Sequence, residues 1–146
     1  MRVSLTIMIL LFGFSKVKCR CNMYFLYEEE QTCADSFHLN ATSILDFYQT
    51  DSDKPLFAQY LNCTFVNLNF FTSDGTILFD NIIDSRNLPW FMARTCQDVV
   101  SLIKKAIKEF REAAMYCKAH PPAIVTPLSI RKCIVNNYNP APLEEF

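Results

Sequence analysis

An all-α fold of about six short helices, stapled by disulfides and trailed by an extended proline-rich C-terminal tail, is what this sequence predicts. Three observations carry the prediction. Apolar residues make up 51% of the chain and aromatics 14%, yet only 2 of 146 residues are glycine, a poor supply for a turn-rich β-sandwich. Apolar side chains recur at steps of three and four through most segments. The 7 cysteines are spread along the chain, as a covalent framework would have them, and are not clustered as metal ligands would be.

The elements follow in order. The stretch YFLYEEEQTCADSF suggests a first helix ending near Phe37. In LNATSILDFYQT, Asn40 or Thr42 caps a second helix that turns Ile44, Leu45 and Phe47 inward. Pro55 opens a third, with Leu56, Tyr60, Cys63 and Val66 or Asn67 on its apolar stripe, and Thr72 to Gly75 break it. A fourth short element holds Ile77, Phe79, Ile82 and Ile83, and Asn87 with Pro89 starts a fifth containing Trp90, Phe91 and Cys96. From Gln97 to Tyr116 no Gly, Pro or Asn interrupts a helical period through Val99, Ile103, Ile107, Phe110 and Ala114. One rod there would hold Cys96 and Cys117 about 31 Å apart at roughly 1.5 Å per residue, too far for a disulfide. A fold-back near residues 104–107 would let them meet, although the unbroken pattern favours the rod. Beyond Lys118 the prolines at 121, 122, 127, 140 and 142 predict an extended wrap pinned by Cys133.

Residues 1–19 have the build of a secretory signal peptide: Arg2, an apolar run from Val3 to Phe14, then small and polar residues. The run is short for a membrane span, so a retained anchor is the lesser alternative and an exported, extracellular chain is expected. Residues 20–118 then form one helical domain and residues 119–146 the tail. Cleavage after Cys19 leaves six cysteines, Cys21, Cys33, Cys63, Cys96, Cys117 and Cys133, whereas cleavage after Ser15 leaves one more. An oxidising compartment would pair them. Loss of Arg2, Lys16 and Lys18 leaves 11 of 14 basic residues against 15 acidic ones, a net charge of −4 that speaks against nucleic acid as a partner.

Catalytic chemistry has little to work with. His38 and His120 are the 2 histidines, neither at metal-ligand spacing from a second His or a Cys pair, and no nucleophile elbow, phosphate loop or dinucleotide fingerprint occurs. No enzyme, catalytic residue, metal or cofactor is expected. The triplets Asn40-Ala-Thr and Asn62-Cys-Thr both fit the N-glycosylation acceptor, with Asn40 in a turn the better placed.

The cysteine spacing, with QYLNCTFVNLNFFTSDGTILFDNI and KEFREAAMYC, resembles the insect odorant-binding protein family, and within it the subgroup that lacks the second and fifth cysteines. Cys33 matches the family's first, Cys63 its third, Cys96 its fourth and Cys117 its sixth, while Gln59 and Lys108 occupy the two vacated positions. The resemblance covers about residues 22–118. It implies bonds Cys33–Cys63 and Cys96–Cys117, which leaves Cys21 with Cys133. It also implies an interior cavity for a small hydrophobic molecule, lined by Phe65, Leu68, Ile82, Trp90, Phe91, Val99, Ile103, Phe110 and Met115, with Tyr60, Tyr116 or Thr95 giving a polar contact. Reversible carriage of that ligand is the function so implied, and a filled-core secreted factor acting through its surface and tail is the alternative.

Overall fold

The structure, a computed structural model, describes residues 26–85 and 100–138. Among these residues it is all-helical: α1 (Glu28–Ser36), α2 (Ala41–Gln49), α3 (Pro55–Asn67), α4 (Phe79–Asp84), α5 (Val100–Ala119) and α6 (Pro127–Asn137). The only β-pairing among them is an isolated bridge between Phe71 and Ile77.

Local chemistry starts and stops the helices. Glu28, Glu29 and Glu30 place negative charge at the N-terminus of α1, where the helix dipole favours it, and the Glu30 carboxylate accepts the Tyr27 backbone N–H at 3.2 Å. Asn40 caps α2, its side chain accepting the Ser43 N–H at 2.9 Å. Pro55 stands in the first turn of α3, where its missing N–H leaves no bond unmade. After α3 the chain reverses through Thr72–Thr76, where Gly75 at φ 92° supplies the left-handed residue the turn requires. Hydrogen bonds from the side chains of Thr72 and Thr76 hold the Asp74 carboxyl below the usual carboxylate range.

The buried stripe of α3 is Phe57, Tyr60, Leu61, Thr64 and Phe65, one position round the helix from the expected one, so Leu56 and Val66 face solvent. Thr64 makes the shift tolerable. Its hydroxyl donates to the Leu61 carbonyl at 3.1 Å, which leaves its methyl for the core.

In the C-terminal half the rod that the helical period favours is present from Val100 to Ala119, so the fold-back near 104–107 that a Cys96–Cys117 bond requires is absent. Ala106, Phe110, Ala113, Ala114 and Cys117 form its buried face and Lys105–Glu109 and Lys108–Glu112 pair at four-residue spacing on the outside. The segment read as an extended tail contains a helix. Pro127 opens α6 instead of stopping one, Thr126 caps it by accepting the Ser129 N–H at 3.1 Å, and Ile130 and Ile134 are fully buried.

Helices α5 and α6 therefore form a hairpin around the turn at 120–126, and the geometry decides the second disulfide. Cys33 pairs with Cys63 as expected, tying α1 to α3 with α-carbons 5.8 Å apart. Cys117 pairs with Cys133, its α-carbon 6.0 Å away on α6, and not with Cys96; Cys133 is thereby taken from Cys21. Cys21 and Cys96 lie outside the described residues. A closed loop of 16 residues stabilises by about 3 kcal/mol on the chain-entropy model. Replacing Cys117 and Cys133 together by alanine is expected to lower the unfolding free energy by about that amount in urea titrations.

Candidate functional site

The residues expected to line a cavity divide into three groups. Phe65, Ile82 and Phe110 lie in a single buried core cluster, and Leu68 packs at its edge. Phe65 meets Phe70 edge-on at 5.9 Å between ring centroids, and Phe110 meets Tyr138 at 6.4 Å. Met115 is half exposed on the outer face of α5, a correction to its expected place inside. Trp90, Phe91, Val99 and Thr95 lie outside the described residues, as does the side chain of Ile103, which sits in the first turn of α5. Of the expected polar contacts, Tyr60 is buried with its hydroxyl donating to Glu30 at 3.2 Å, and Tyr116 is exposed.

Sequence reasoning missed the group that orients α6. Arg131 is 1% exposed, and its guanidinium lies 5.0 Å above the Tyr48 ring and 5.5 Å above that of Phe57. Its Nη1 pairs with Asp51 and its Nη2 donates to the Tyr48 carbonyl at 3.2 Å. Beside it Lys132 pairs with Asp53. Asp51 has φ 48°, a left-handed conformation that Asp tolerates better than most residues. The signal for a helix here was present in Thr126-Pro127-Leu128-Ser129, a cap followed by proline at the first helical position.

The clasp and the Cys117–Cys133 bond together fix both ends of the segment from His120 to Thr126. That segment carries the most exposed of the large apolar side chains among the described residues: Ile124 at 76%, with Val125 at 43%. The Ser129 hydroxyl holds the Ile124 carbonyl from below at 2.7 Å, and Pro121, Pro122 and Pro127 restrict the backbone. Tyr116 stacks on His120 at 4.6 Å and leads from the loop into an open groove of about 380 Å³ between α5 and α6, lined by Glu109, Glu112, Ala113, Tyr116 and Asn137. Among the described residues no group of three or more metal-ligating side chains forms, and no helix is long and apolar enough to cross a membrane.

Comparison with known proteins adds no relative: no family model, no curated protein and no solved structure matches the chain.

Proposed function

We propose that the chain is a secreted interaction protein that binds a partner protein through the Cys117–Cys133 loop and the adjoining α5–α6 groove. The observation that carries this reading is the exposure of Ile124 and Val125 on a segment anchored at both ends. Apolar side chains held out in water, on a backbone already short of conformational freedom, lose little entropy when a complementary pocket covers them. Such loops on rigid scaffolds are where binding surfaces concentrate. The groove beside the loop is lined by Glu109, Glu112, Ala113, Tyr116 and Asn137, and its two carboxylates are paired with Lys105 and Lys108, so a partner with an apolar pocket would match the loop.

Carriage of a small hydrophobic ligand is the second reading. Its support is the Cys33–Cys63 bond, which the family resemblance requires. One experiment separates the two. The full exported chain is titrated with a fluorescent apolar probe, N-phenyl-1-naphthylamine, before and after reduction, and is also immobilised and presented with extracellular fluid beside an Ile124→Asp variant. The interaction reading predicts no saturable one-to-one probe binding and a retained protein that Ile124→Asp loses at unchanged helical circular dichroism. Saturable probe binding abolished by reduction, with retention indifferent to Ile124, would establish the carrier instead.

A further inference from the structure

The two N-glycosylation triplets obey the same sequence rule, but the fold treats them differently. Asn40 is exposed at the N-cap of α2 with extended backbone, φ −114° and ψ 168°. Its Oδ1 accepts from both the Ser43 N–H at 2.9 Å and the Ser43 hydroxyl at 3.1 Å, so the capping role falls on the oxygen. The Nδ2 atom, to which a sugar attaches, has no part in the cap. Thr42 is exposed and stands in the first turn, whose N–H groups have no acceptors inside the helix, so the triplet can open without breaking the helical ladder.

Asn62 is exposed too, but it lies within α3, the next residue is bonded to Cys33, and the third is sealed in the core. Thr64 is fully buried and its hydroxyl is already donated to the Leu61 carbonyl. Extending this triplet in a transferase would break α3 near its middle and pull the α1–α3 staple apart.

We infer that Asn40 carries an N-linked glycan, and that Asn62 accepts one only while Cys63 is still reduced. The inference rests on export of the chain. In the transfer, Nδ2 of the asparagine forms a bond to the anomeric carbon of an oligosaccharide carried on a lipid diphosphate. The anomeric carbon–oxygen bond breaks, the lipid diphosphate leaves, and the amide proton passes to a base on the transferase. Closing Cys33–Cys63 ends the competition at Asn62 in favour of folding. Occupancy there reports when that disulfide forms.

The test is translation of the full chain with microsomes, scoring protection from added protease and, separately, the number of endoglycosidase-sensitive steps on a gel. Wild type is expected to be protected with one step, Asn40→Gln with none and Asn62→Gln with one. Cys33→Ser keeps the triplet but leaves Cys63 without its partner, and is expected to gain a second step that Cys33→Ser with Asn62→Gln loses again. These readouts count sugars and do not require the variant to fold. A chain left open to protease fails the export reading on which the inference rests. A protected wild-type chain with Asn40 bare overturns the inference, as does a Cys33→Ser chain with no step beyond the wild type's.

Discussion

Replacing Asp51 by asparagine is expected to destabilise the protein by about 3–5 kcal/mol, a large share of the stability of a domain this size. The reason lies with its partner. Arg131 is 1% exposed, so without Asp51 its guanidinium keeps a full charge away from water, with the Tyr48 carbonyl and two aromatic faces to offset it among the described residues. Asparagine is nearly isosteric and accepts left-handed backbone, so the change isolates charge from shape. Arg131→Met is expected to be milder than Asp51→Asn, although it removes the larger group. It withdraws the buried charge itself, and the carboxylate left behind on Asp51 is 44% exposed and reaches water. The double variant should then resemble Arg131→Met alone. Urea midpoints for the four proteins check the order, and an Asp51→Asn protein as stable as wild type would show that the clasp does not hold the cation.

Phe110→Ala is expected to lower stability by about 3–5 kcal/mol. Phe110 is fully buried on α5 against Tyr138, and α5 and α6 bring Ala106, Ala113, Ala114, Ile130 and Ile134 into the same core. If the ring is packed on all sides, truncation removes its transfer free energy and leaves a void that a helix hairpin tied by a disulfide can fill only in part. A ring bordering a hollow would lose fewer contacts, and its removal would cost well under 3 kcal/mol. Chemical denaturation of Phe110→Ala therefore measures how the interior is packed at this point as well as how stable the fold is.

Much of the N-terminal half was legible in the sequence because its signals are local. Asn40 ahead of Ile44 and Phe47, and Pro55 ahead of the next apolar stripe, mark helix starts through bonds made within one turn. The same proline chemistry misled at the other end. A cluster of prolines beyond Lys118 looks like a chain that cannot form helix, yet Pro127 sits where proline is harmless, and an eleven-residue helix follows it. The α3 stripe was displaced by one position because Thr64 counts as polar until its hydroxyl finds a backbone acceptor.

The site was less legible, for a reason that spacing cannot overcome. Arg131 pairs with Asp51 across 80 positions of sequence, and nothing near either residue marks it for burial. Helical period alone leaned towards a rod, which excludes a Cys96–Cys117 bond. The family resemblance pointed the other way, and the hairpin of α5 and α6 settles the partner of Cys117. Phe65, Ile82 and Phe110 are buried in one core cluster, while the exposed Ile124 passed unnoticed inside a segment read as a plain wrap.

The surface reading depends on α5 staying unbroken, with α6 folded back on it so that the loop between them is held out. Tryptic digestion of the exported chain without reduction, followed by mass spectrometry, tests this most directly. Cleavage at Arg111 and Lys118 isolates Cys117 on peptide 112–118, cleavage at Lys132 isolates Cys133 on peptide 133–146, and Cys96 falls on peptide 95–104. The account predicts peptide 112–118 joined to 133–146. Peptide 112–118 joined to 95–104 would contradict it, since that bond requires α5 to double back on itself.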